Sequence, residues 1–174
     1  MNENKCGTSA RGATLLLLLA SFLVPAVAQP APPAATQTVA PAIDLPTYDG
    51  RITPADLAGK VVYVDFFASW CGPCKVSFPW LKVMQEQYAP KGLVIVAINV
   101  DKDRADAMHF VTHFSPTFLV GYDPAGKTAE AFHVDGMPSS FLISPTGAIL
   151  YSHVGFTSKD APTIEAHIEK ALTQ

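Results

Sequence analysis

The run Val61-Val62-Tyr63-Val64-Asp65-Phe66-Phe67 constrains this chain more than any other stretch. Apolar side chains at both odd and even positions describe a strand buried on both faces, which requires a sheet covered by helices on either side. Only Asp65 breaks the apolar pattern between Tyr63 and Phe67. Shortly after the run, Trp70-Cys71-Gly72-Pro73-Cys74-Lys75 leads into a segment ending at Tyr88. There Phe78, Leu81, Met84, Gln85 and Tyr88 recur at three- and four-residue spacing, as on one face of a helix. Strand, turn and helix place Cys71 at a helix N-terminus, where unpaired backbone N–H groups and the helix dipole favour a thiolate. Two intervening residues set Cys74 about one turn behind. Pro73 suits the first helical turn, where a missing N–H is no loss.

Downstream, the pattern continues to alternate. Leu93–Val100 reads as a second buried strand, and Asp103–Phe114 as a helix with Ala107, Phe110, Val111 and Phe114 on one face. Pro116–Val120 is expected to be a short strand ahead of the turn Asp123-Pro124-Ala125-Gly126, with a short helix at Lys127–Phe132. Ser140–Ile143 and Ala148–His153 flank Pro145-Thr146-Gly147 as a hairpin, and Asp160–Leu172 closes the chain as a helix. Strands alternating with helices and ending in a hairpin imply an α/β fold with a mixed sheet.

The N-terminus sets the compartment. Lys5 and Arg11 precede the apolar run Ala13–Val24, Pro25 breaks it, and Ala26-Val27-Ala28 supplies a small-x-small cleavage pattern. Residues 1–28 are therefore read as a signal peptide. Extended to Ala28, the run is sixteen residues interrupted by proline, against the ~20 needed to span a bilayer. A retained anchor facing the periplasm is the alternative; a lipid anchor is not expected, because Cys6 precedes the run. Residues 29–42 are rich in Pro, Ala and Thr and uncharged, and read as a stiff linker, leaving 43–174 as the domain. Cleavage removes one of three cysteines and leaves Cys71 and Cys74 as a lone pair in an exported protein. That pair closes too short a loop to add much stability, so redox chemistry explains it better than a structural staple.

Other chemistries fit less well. Twelve basic residues against fifteen acidic ones leave no broad cationic face for nucleic acid. A zinc site needs about four ligands, and there is no second cysteine pair; His109 and His113 are expected on a solvent face of their helix. No bound cofactor is expected beyond a Cys71–Cys74 disulfide.

The segment Val64-Asp65-Phe66-Phe67-Ala68-Ser69-Trp70-Cys71-Gly72-Pro73-Cys74-Lys75 resembles the active-site segment of thioredoxins. Asp65, six residues before Cys71, matches the buried carboxylate of that family. Pro79 matches the proline of its active-site helix, and Gly136-Met137-Pro138-Ser139-Ser140 matches the loop carrying its cis-proline. The resemblance covers residues 43–174. It implies a thioredoxin fold: a central mixed β-sheet flanked by helices, with a strand–helix insertion around Phe118–Phe132 before the cis-proline loop. The insertion and the export signal resemble the TlpA/ResA branch of periplasmic or membrane-anchored members. Two positions depart from the pattern. Ser77 stands where that branch carries a glutamate, and Ala97 where thioredoxins carry a lysine.

The resemblance implies roles for particular residues. Cys71 is expected to attack a substrate disulfide and Cys74 to resolve the mixed disulfide. Asp65, its pKa raised by burial, is expected to take the Cys74 proton; a strand-end aspartate facing water is the plainer alternative. Trp70, Gly72 and Pro73 would support the site. A cis Met137–Pro138 bond would present the Met137 backbone to an extended substrate segment. Trp70 is expected to be half exposed and Phe78 to be packing. Expected partners are protein thiols and disulfides and a membrane electron donor of the DsbD type, for a monomer in the periplasm. Gly72-Pro73 matches the thioredoxin dipeptide and implies a reductant. The competing readings are a disulfide-introducing oxidase, a peroxidase of the peroxiredoxin kind, and a copper-handling chaperone, for which His133 is the candidate ligand.

Overall fold

A computed structural model describes residues 38–174. The signal-peptide reading of 1–28, and the linker as far as Gln37, lie outside the described residues. The described end of the linker runs against the hairpin: Val39 bridges Ala148, Ala40 N–H donates to Gly147 O at 2.9 Å, and Thr38 O accepts from Ile149 N–H at 2.8 Å.

Strands β1 (Leu45–Pro46) and β2 (Arg51–Ile52) pair antiparallel ahead of the one-turn helix α1 (Pro54–Leu57). The apolar run forms β3 (Val61–Phe67), as its pattern predicts, and α2 (Gly72–Tyr88) follows. Next come β4 (Leu93–Asn99), α3 (Arg104–Phe114), β5 (Leu119–Tyr122), α4 (Lys127–Ala131), β6 (Ser139–Ile143), β7 (Ile149–Val154) and α5 (Ala161–Leu172). The main sheet has the order β5-β4-β3-β6-β7; β3, β4 and β5 run parallel, while β6 is antiparallel to β3 and β7 to β6. It is a mixed sheet with β3 at its centre.

Every residue of β3 is buried. Successive side chains of a strand point to opposite faces, and the two halves of the core sort accordingly. Val61, Tyr63 and Phe67 join Phe78, Leu81, Met84 and Tyr88 of α2, Phe110 of α3, and Ile164 and Ile168 of α5. Val62, Val64 and Phe66 face the other way, with Ile43, Leu45, Ile52, Val96, Ile98 and Phe132. By the same alternation, Asp65 lies on the α2 side.

The strand expected at 116–120 forms instead at 119–122. Phe118 turns inward and meets the Phe78 ring edge-to-face at 5.4 Å, so pairing with β4 begins only at Leu119, opposite Val96. Phe78 also meets Phe67, Phe110 and Phe114 at ring separations of 4.5, 4.8 and 5.7 Å. This aromatic cluster fixes α2 to the sheet and to α3 beneath the cysteines. Replacing Phe78 by alanine should therefore cost about 3–5 kcal/mol of stability in urea denaturation, the range for a fully buried aromatic; a loss below about 1 kcal/mol would show that the cluster is not holding the helix.

Candidate active site

Cys71 is the N-cap of α2. Its backbone is extended (φ −80°, ψ 107°), and its Sγ accepts the Cys74 backbone N–H at 3.2 Å. Gly72 and Pro73 occupy the first helical turn, where proline's missing N–H leaves no partner unmet. Cys71 and Cys74 are joined by a disulfide with Cα atoms 5.3 Å apart. Cys74 is wholly buried, while Cys71 retains 3% of its surface. Trp70, expected half exposed, is 70% exposed. A Cβ added at Gly72 would meet nothing within 4 Å, so the first turn of the helix beside the disulfide is open. A cavity of about 880 Å³ lies elsewhere, lined by Tyr48, Arg51, Phe118 and Tyr122 among others. This geometry suits a disulfide that meets its partner at the protein surface.

Asp65 stands opposite Ala97 on β4 and Ser140 on β6. It is buried rather than facing water at a strand end, and its Oδ2 has no hydrogen-bond partner. Burial alone pushes its carboxyl well above the ordinary carboxylate range. Ser77 is buried one turn beyond Cys74, and its hydroxyl donates back to Cys74 O at 3.2 Å. The residue standing in place of a glutamate thus satisfies itself on its own helix. The Met137–Pro138 peptide bond is cis, and Pro138 O accepts the Gly155 N–H at 2.7 Å. His109, His113 and His133 are exposed, His133 at φ 54°.

One part of the site was not anticipated. Asp101, just beyond β4, accepts the Ser69 N–H at 2.8 Å and the Ser69 hydroxyl at 3.0 Å, across 32 positions of sequence. Asn99 ends an otherwise apolar strand and Asp101 follows two residues on, and that polar break was the available signal.

The Redoxin family model matches residues 26–170. The thiol-disulfide oxidoreductase ResA of Oceanobacillus iheyensis is 34% identical over 95 residues, covering 55% of this chain and 50% of that protein. ResA of Bacillus subtilis is 33% identical over 100 residues, covering 58% and 56%. The matched region thus spans about half the length of these curated relatives. The crystal structure of a candidate thiol:disulfide interchange protein DsbE from Chlorobium tepidum superposes with a TM-score of 0.77 at 45% identity, covering 78% of this chain and 96% of that one. Together with the mixed sheet flanked by helices, that likeness makes this a thioredoxin fold of the ResA/TlpA kind.

Proposed function

Since the chain belongs to the Redoxin family, we propose that it is an exported thiol–disulfide oxidoreductase that reduces protein disulfides through Cys71 and Cys74. The observation that carries this reading is the disulfide at the start of α2, with Cys71 as cap and Cys74 buried behind it. In the reduced protein the Cys71 thiolate attacks one sulfur of a substrate disulfide. A Cys71–substrate bond forms, and the first substrate sulfur leaves and takes a proton. Cys74 then loses its proton, for which Asp65 is the proposed acceptor, and attacks Cys71 Sγ. The second substrate sulfur leaves as a thiol. Two electrons have passed to the substrate, its two thiols carry one proton taken from solvent and the equivalent of the one released by Cys74, and Cys71–Cys74 is oxidised. No cofactor is invoked beyond this pair.

Trp70, Gly72 and Pro73 form the rim of the site, and the backbone of Met137 is the proposed docking edge for an extended substrate segment. The reading places the chain in the periplasm as a monomer, exported by residues 1–28, with protein thiols and disulfides as substrates and a membrane electron donor of the DsbD type restoring the dithiol. Among the described residues no helix is long and apolar enough to cross a membrane.

The reducing direction rests on Gly72-Pro73. Thioredoxin, with this dipeptide, lies near −270 mV, against about −120 mV for the oxidant DsbA, a gap of about 7 kcal/mol for two electrons. Equilibration with glutathione should place Cys71–Cys74 toward the thioredoxin end. A potential above about −150 mV overturns the reductase reading in favour of a disulfide-introducing oxidase.

A further inference from the structure

We infer that Asp101 is a positioning residue for Cys71, holding the loop ahead of the nucleophile to the end of the neighbouring strand. The inference rests on the exchange reaction proposed above, and it assigns a role to a residue outside the two cysteines and their flanks.

Residues 68–71 carry the chain from the end of β3 to the cap of α2. Within this short loop Cys71 N–H donates to Ala68 O at 3.1 Å, a turn that sets the approach to the helix. Ser69, inside the turn, is bound at two atoms by one carboxyl: its N–H reaches Asp101 Oδ2 and its hydroxyl reaches Oδ1. A two-point tie fixes rotation as well as distance, and hydrogen bonds to a carboxylate are the stronger kind.

Asp101 is itself immobilised. Its N–H donates to Asn99 Oδ1 at 3.0 Å, and Asn99 Nδ2 donates to its Oδ2 at 2.8 Å. Asn99 is wholly buried. Between the two, Val100 N–H donates to Phe67 O at 3.0 Å. The ends of β3 and β4 are thus stitched together directly under the loop, and a satisfied buried polar network of this kind is rigid. Ser69 is held on one side and Cys71 caps α2 on the other, which leaves Trp70 between them as the exposed crest. Once the disulfide is reduced, Cys71 Sγ keeps its contact with the Cys74 N–H only if the loop holds this path, so a looser loop would cost the thiolate that contact.

Two effects of opposite sign can be separated. Removing the Asp101 charge would favour the Cys71 thiolate by electrostatics, whereas releasing Ser69 would disfavour it by displacement. Ser69→Ala changes no charge and isolates the second. Asp123 supplies the control: it is a buried carboxyl at the same end of the sheet, bound to the N–H groups of Lys127, Thr128 and Ala129, and its own N–H donates to Asn99 O. Asp123→Ala removes comparable bonds without touching the loop.

The experiment measures iodoacetamide alkylation of Cys71 in the reduced full chain across pH, with the modified site read by peptide mass spectrometry. Ser69→Ala should slow the reaction about threefold at pH 7 and move its half-maximal pH upward, and Asp101→Asn should slow it about tenfold. Ser69→Thr, which keeps the hydroxyl, and Asp123→Ala should stay within about twofold of the wild type. Ser69→Ala decides alone where Asp101→Asn does not fold. The inference is overturned where Ser69→Ala leaves the rate and pH profile unchanged, or where Asp123→Ala slows the reaction as much as Ser69→Ala. Alkylation needs no protein substrate, so these outcomes are independent of whether Cys71 exchanges with protein disulfides.

Discussion

Replacing Cys71 by serine is expected to lower reduction of a protein disulfide by at least about a thousandfold, because a hydroxyl at its ordinary pKa cannot stand in for a thiolate. Replacing Cys74 has the opposite signature. The first attack survives, the second cannot occur, and a mixed disulfide through Cys71 accumulates in stoichiometric amount. The asymmetry follows from the geometry. Cys71 caps the helix beside the open face at Gly72, whereas Cys74 is wholly buried one turn behind it. With Cα atoms 5.3 Å apart, the second step is intramolecular. Well-oriented intramolecular reactions reach effective concentrations of about 10⁵ M or more, far beyond any free thiol. Non-reducing electrophoresis with an oxidised protein substrate reads both outcomes. Trapping by Cys71→Ser with turnover by Cys74→Ser would reverse the assigned roles, and failure of both to trap would sink the exchange reading. Done in the cell, the same trap identifies the physiological partners.

These residues were legible in the sequence because each signal was local. The apolar run 61–67 announced a strand covered on both faces, and two cysteines with two residues between them at the following helix start announced the dithiol. Period-two alternation from Tyr63 through Phe67 even places Asp65 on the helix face that carries the cysteines. What escaped depends on tertiary contact. The pair β1–β2 has two residues per strand, too short for any periodicity. The start of β5 is decided by Phe118 joining the Phe78 cluster, and its local β-propensity does not record that. Asp101 and Ser69 are 32 positions apart, and only the parallel register of β3 against β4 brings them together. Topology supplied what periodicity could not.

Asp65 carries the second large expectation, in which stability and rate move in opposite directions. Its carboxyl is buried, its Oδ2 is unpartnered, and its pKa is raised well above 3.8 by burial. The folded state therefore binds this proton more tightly than the unfolded chain does. Between the unfolded pKa of about 3.9 and the raised folded value, the native protein holds more protons, so stability falls as pH rises; above the folded value the deficit is constant. Asp65→Asn removes the charge that must be buried. At pH 8 the variant should be more stable than the wild type, and its decline with rising pH should flatten. The same change removes the proposed acceptor of the Cys74 proton. Resolution of the mixed disulfide should slow by about a hundredfold, the scale of one general base, while the first attack by Cys71 changes little. Denaturation midpoints across pH test the first half, and the lifetime of the mixed disulfide tests the second. A variant as pH-sensitive as the wild type would show that Asp65 is not the group whose burial costs stability. A variant that gains stability but resolves at the wild-type rate would leave Asp65 buried for packing alone and return the Cys74 proton to solvent.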